Sequence, residues 1–239
     1  MTTKNMGIAT RPIFIPNRET PGVIEQEITF DWYMGMSTEV RKRSIISLHN
    51  NASLVGYKKI LEASSKSEQS IGIQLSAFFL KNIKGYPVEN LFQSSKVFEN
   101  GGPYRDLLTV TPREAKKDQR LKESGDLIEF KFNNKKYPLE PKSLFYDWLY
   151  INVLFSNRNL NLREDFFEMK FDAISDIEFN PKKSFNCQAR TLALCISLYE
   201  NESIQDFIED PIQFSREFNL YKYEEVDNKK DNSNHSFDF

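Results

Sequence analysis

Glu89, Gln93 and Lys96, in the run YPVENLFQSSKVFENGGPY at 86–104, bring together a carboxylate, an amide and an amine at spacings of four and three residues. An α-helix turns about 100° per residue, so Gln93 falls roughly 40° past one turn from Glu89, and Lys96 roughly 20° short of two turns. On a helix all three share one side, with Leu91 and Phe98 on the other. A carboxylate that moves protons beside an amine that attacks carbon is the equipment of acid–base or covalent catalysis. The same spacing also describes a plain solvated face, on which a Glu-to-Lys pair contributes a few tenths of a kcal/mol. Pattern alone leaves both readings open.

A second polar cluster lies in FDAISDIEFNPKKSFNCQAR, where Asp172, Asp176 and Glu178 crowd together. Carboxylates this close repel one another unless a cation, a proton-transfer role or water compensates. Lys182 and Lys183 follow, then Asn186 as a candidate cap, with Gln188 and Arg190 in the first turns of the next helix. Amides at a helix start with lysines nearby suit an anion, and an ordinary capped helix after an acidic loop explains the pattern equally well. Soft metal ligands are scarce. Cys187 and Cys195 sit eight residues apart in one expected helix, too far for a bridge, and read as buried apolar groups. With His49 and His235 as the only histidines, no structural zinc is expected, and neither a metal nor a cofactor is assigned. The chain has no G-x-G-x-x-G run, P-loop or nucleophile elbow.

The elements that must position these groups follow from periodicity and caps. RPIFIPN and VIEQEITFDWY read as strands, and STEVRKRSIISLHNNASLVG as a helix capped by Ser37 or Thr38. A short strand is expected next, then a helix whose start is marked by a Ser65-x-x-Glu68 capping box. The quoted stretch predicts a helix from about Tyr86 to the paired glycines of ENGGP, with Pro87 in its first turn. TPREAKKDQRL predicts a helix capped by Thr111, and LIEFKFNNKKYPLE a hairpin turning at the asparagines. KSLFYDWLYINVLFSN, with Leu144, Trp148, Ile151 and Phe155 on one stripe, and QARTLALCISLYEN predict two largely buried helices. The last eighteen residues, KYEEVDNKKDNSNHSFDF, are polar and aperiodic and are expected to be frayed.

The 239 residues are 39% hydrophobic and 28% charged, with a mean hydropathy of -0.55, which describes a hydrated surface around an ordinary core. No run approaches membrane-spanning length and none resembles a secretory signal, so a cytoplasmic location without membrane contact is expected. Residues 1–122 carry an excess of Lys and Arg and residues 123–239 an excess of Asp and Glu. A mildly basic first half suits a phosphate-bearing ligand, and strong nonspecific DNA binding is not expected. The fold class is α+β: an N-terminal strand-and-helix extension at 1–75, a main domain at 76–220 and a polar tail at 221–239.

YPVENLFQSSKVF resembles the signature helix of the NADAR superfamily, the YbiA-like N-glycosidases. LSAFFL is similar to that family's Ser-Asn-Phe element and TPREAKKDQRL to its Ser-Pro-x-x-Ala-Lys segment. FQSSKVFENGGPYRDLL, PLEPKSLFYDWLYINVL, DIEFNPKKSFNCQAR and ATRPIFIPN resemble the branch that serves as antitoxin to guanine-modifying DarT toxins, over roughly residues 8 to 200. The resemblance implies a mainly helical α+β NADAR domain with short strands. It implies an ADP-ribosylglycohydrolase that frees guanine in DNA from ADP-ribose, paired functionally with a DarT-type toxin, with ADP-ribosylated DNA or ADP-ribose as its partner. Glu89, Lys96 and Asp172 become the catalytic candidates. Ser76, Phe78, Asn90, Gln93, Trp148, Asp176, Asn186 and Arg190 become the substrate-binding ones. Ser64, Ser65 and Lys66, near a helix start, would permit contact with a diphosphate. Asn90 stands where the wider family has His, and NCQAR where a Gly-containing pattern is common. Two alternatives remain: a ribosylated small molecule, such as a riboflavin-pathway intermediate, as substrate, or a noncatalytic module that binds the modified DNA or the toxin.

Overall fold

A computed structural model describes residues 6–221; the expected frayed tail and His235 lie outside the described residues. The chain opens with β1 (Met6–Pro16) and β2 (Val23–Tyr33), a long antiparallel hairpin in register from Met6 opposite Tyr33 to Pro16 opposite Val23. Helix α1 (Thr38–Leu54) follows, with the Ser37 hydroxyl accepting the Val40 N–H at 3.3 Å. Ser44, Ile45, Leu48 and Ala52 recur every three or four residues on its buried face. They pack with Ile13, Ile28 and Phe30 of the hairpin into a small core of their own.

Strand β3 (Ile60–Glu62) leads to the short helix α2 (Ser70–Gln74). The expected capping box at Ser65 and Glu68 does not form. The Ser64 hydroxyl instead accepts the Lys66 N–H at 3.1 Å and the Ser67 hydroxyl the Gln69 N–H at 3.2 Å. Such local bonds hold serine-rich backbone in turns and delay the helix to Ser70.

Helix α3 (Val88–Gln93) is shorter than its periodicity predicts, and Lys96 belongs to strand β4 (Lys96–Phe98). The Ser94 and Ser95 hydroxyls both donate to the Leu91 carbonyl, at 3.2 and 2.6 Å, closing the helix. Gly102 then passes beneath the strand at φ +83°, where a Cβ would lie 2.5 Å from the Lys96 carbonyl. The paired glycines therefore serve the turn after β4 and not a helix end.

The Thr111 capping box forms as expected and starts α4 (Pro112–Lys117), with α5 (Arg120–Glu123) following. The hairpin β5 (Leu127–Phe132) and β6 (Lys135–Tyr137) turns at Asn133 and Asn134, both at positive φ, and pairs with β4 to give a three-stranded sheet. Helix α6 (Leu144–Leu154) is apolar on nearly every side. After α7 (Leu160–Glu168) comes β7 (Ala173–Ser175), then α8 (Gln188–Glu200), α9 (Ile204–Glu209) and α10 (Pro211–Glu217). Cys187, not Asn186, is the residue that flanks the start of α8. Both cysteines are buried and unbridged.

The larger sheet has the order β2-β1-β7-β3. Strand β7 runs antiparallel to β1 and parallel to β3, with Leu61 opposite Ile174 and Glu62 opposite Ser175. The main core fills the space between this sheet, α3, α6 and α8, around Phe14, Leu61, Leu91, Tyr150, Ile174 and Leu194. The mixture of helices and strands is the α+β class expected.

Candidate active site

The parallel pair β3 and β7 sends both chains out at the same edge of the sheet. Ligands of open sheets bind outside the carboxyl ends of parallel strands, where the loops diverge. A cavity of about 560 Å³ opens there, and Ser64, Ser65 and Lys66 after β3 and Asp176 after β7 line it. Helix α3 closes the opposite wall with Glu89 and Gln93, and β4 adds Lys96.

Burial distinguishes this wall from a solvated face. Glu89 is 5% exposed and Gln93 6%. Gln93 Nε2 donates to Glu89 Oε1 at 2.9 Å, and Lys116 Nζ stands 3.9 Å from Glu89 Oε2. Gln93 Oε1 is buried and has no hydrogen-bond partner among the described residues, so an acceptor is left for a donor on a ligand. Lys96 Nζ lies 4.8 Å from the centre of the Phe92 ring. Burial lowers its amine to about 8, with attraction from Glu89 opposing and repulsion from Lys116 assisting. A lysine of that kind is partly neutral near physiological pH, which an amine nucleophile requires.

Across the cavity, Asp176 is held by two donors. Its Oδ1 accepts the Glu178 N–H at 3.0 Å and its Oδ2 accepts Gln188 Nε2 at 2.9 Å. Gln188 Oε1 in turn accepts the Ala77 N–H at 2.7 Å. Burial, then the charge of Glu62, raises the Asp176 carboxyl to about 7. The site thus holds two carboxyls in different settings and one desolvated amine, arranged around a concavity that four lysines and three carboxyl groups line. Proton transfer and amine attack on a sugar or carbonyl carbon are chemistry within its reach.

Of the eleven catalytic and substrate-binding candidates, Ser76, Phe78, Glu89, Gln93, Lys96, Asp176 and Asn186 meet at this cavity. Four others lie elsewhere. Asp172 sits at the entry end of β7, where its Oδ2 accepts the Lys58 and Lys59 N–H groups at 2.9 and 2.8 Å. Asn90, one residue round α3 from Glu89, donates to the carbonyls of Leu107 and Val110 at 2.7 and 2.8 Å. Tyr146 of α6 faces the cavity, so Trp148, about 200° further round, faces away and donates to the Ile208 carbonyl at 3.0 Å. The same half-turn separates Gln188 from Arg190, whose guanidinium pairs with the buried Asp147 carboxylate at 2.9 Å. Phe92, Lys116 and Tyr146 line the site without having been singled out. Lys116 lies within TPREAKK, where the signal was a segment and not a residue.

An α+β chain whose sheet edge, helix and strand converge an amine and two carboxyls on one cavity is the class that fold and site define. The family model of the DarT1-associated NADAR antitoxins matches residues 9–230, and the chain belongs to that family. No curated protein matches it. No helix among the described residues is long and apolar enough to cross a membrane.

Proposed function

We propose that this antitoxin is a cytoplasmic glycohydrolase that removes ADP-ribose from guanine in DNA and so reverses the modification made by its toxin. The observation that carries the reading is the half-buried, desolvated Lys96 amine, lowered to about 8, in the same cavity as Glu89. A Lys–Glu pair committed to surface solubility would be screened and exposed. Membership of a DarT1-associated antitoxin family supplies the biological context. The excess of lysines over carboxyls in the lining favours an anionic ligand such as a diphosphate.

In this mechanism Asp176, the acid at the cavity, stands as a catalytic carboxyl in place of Asp172, the candidate that the family resemblance implied. Asp176 protonates the ribose ring oxygen as the bond from that oxygen to the anomeric carbon breaks, leaving an iminium between that carbon and the base nitrogen. Neutral Lys96 adds to the carbon, and the base leaves with a proton that Glu89 relays. Water then adds to the lysine imine, the amine departs, and the open sugar closes again as ADP-ribose. One water is consumed and nothing is oxidised or reduced. Gln93 positions Glu89 and offers its free carbonyl to the ligand.

Incubation with a guanine-ADP-ribosylated oligonucleotide tests this reading. Unmodified DNA and free ADP-ribose are the expected products in equal amounts. Tight binding with neither product would show a sequestering module instead.

A further inference from the structure

Behind the cavity wall lies a second acid that no lining atom belongs to. Glu62, the last residue of β3, is 2% exposed. Its Oε1 accepts the Ile177 N–H at 2.9 Å and its Oε2 accepts the Ser175 hydroxyl at 2.6 Å. Its carboxyl therefore grips the two residues on either side of Asp176. The Ser64 hydroxyl, itself at the cavity, is a further donor to it. His49 of α1 completes the chain from behind, with Nε2 2.8 Å from Ser175 Oγ. Burial lowers the His49 imidazole to about 4, so it is neutral and its N–H donates to Ser175 while Ser175 donates to Glu62.

We propose that Glu62 is a positioning residue for Asp176: it fixes the Ser175–Ile177 turn and, by its negative charge, makes Asp176 the proton-donating acid of the site. The inference rests on the catalytic reading of the cavity. Two buried carboxyls this close share their charge unequally, and the one with more donors keeps it. Glu62 has the Ser175 and Ser64 hydroxyls and the Ile177 N–H; Asp176 has the Gln188 amide and the Glu178 N–H. Burial raises the Glu62 carboxyl as well, its donors oppose that rise, and the proton resides on Asp176. The other groups facing Asp176 do not reverse this. Glu178, on its own loop, repels in the same sense and is paired with Arg41 at 3.2 Å. Tyr146 and Tyr150 of α6 and Cys187 before α8 are held neutral by burial. Glu89, Lys66, Lys96, Lys116 and Lys183 share the cavity, and among the described residues none of these lysines bonds to the Asp176 carboxyl.

Carbon NMR of the side-chain carboxyls in the substrate-free protein tests the proposal, with the Asp176 resonance identified by its loss in D176N. In the wild type Asp176 should ionise near 7. In E62Q, whose amide can donate to Ser175 while Ser175 turns its proton to His49, the midpoint should fall by at least about one pH unit. Turnover of the modified oligonucleotide by E62Q should match wild type at pH 5 and lie at least about tenfold below wild type at pH 8, because the protonated fraction of Asp176 disappears sooner. A purely structural defect would lower the rate equally at both pH values. An unchanged midpoint in E62Q overturns the proposal. If E62Q does not fold, the wild-type titration decides, and ionisation of Asp176 below about pH 5 overturns it. The titration needs no substrate, so absence of turnover in the wild type would count against the catalytic reading alone.

Discussion

At the scale of the residue, the difference between Asp172 and Asp176 carries the most weight. The two acids sit at opposite ends of β7, and only the second reaches the cavity. We expect D176N to abolish product release, whereas D172N, whose amide oxygen can take both backbone N–H groups where Oδ2 stood but without the charge, should retain the wild-type rate and lose about 1 kcal/mol of stability in urea unfolding. Equal rates in the two variants would contradict the placement. Lys96 gives a second prediction. With its amine lowered to about 8, turnover between pH 5 and 7 should fall roughly tenfold for each pH unit of acid, as the neutral fraction shrinks. A flat profile there would remove the amine from the reaction. The identities of Glu89, Gln93 and Lys96 were legible in the sequence. The burial of Glu89 and Gln93 was not, because a 3.6-residue period reports which side a residue takes and not what covers that side.

At the scale of the element, α3 shows how local bonds override periodicity. The spacing from Glu89 through Gln93 to Lys96 suits one helix, yet two serine hydroxyls end it and pass Lys96 to a strand paired with β5. The three groups still converge, by tertiary placement and not by a shared face. The Thr111 box and the Asn133–Asn134 turn were readable because their bonds are local. Asn90 illustrates the opposite case, since its partners lie on the segment that leads into α4 and Lys116. N90A should destabilise the protein by about 2–3 kcal/mol through two carbonyls left without that donor. It should also weaken ligand binding more than it slows chemistry, because Lys116 loses its anchor. A loss in kcat with KM unchanged would argue against this role.

At the scale of the whole molecule, the larger sheet joins sequence-distant parts. Strand β7, three residues long, lies between β1 and β3 and carries Asp176 at its exit. So short a strand has no readable period, and its partners lie more than a hundred residues away, which is why the sequence suggested an extension packed on a domain. We expect a chain starting at residue 76 to lack a cooperative unfolding transition, since β7 would lose both neighbours; a sharp transition by circular dichroism would show that the segment folds alone. The central claim, that Lys96 and Glu89 release the base from the sugar through an amine at the cavity, is tested most directly by borohydride quenching during turnover of a guanine-ADP-ribosylated oligonucleotide, followed by mass spectrometry of the peptides. The account predicts a reduced ADP-ribosyl adduct on Lys96 that is absent in K96R. Release of DNA at the full rate with no adduct, or with K96R as active as wild type, would contradict it.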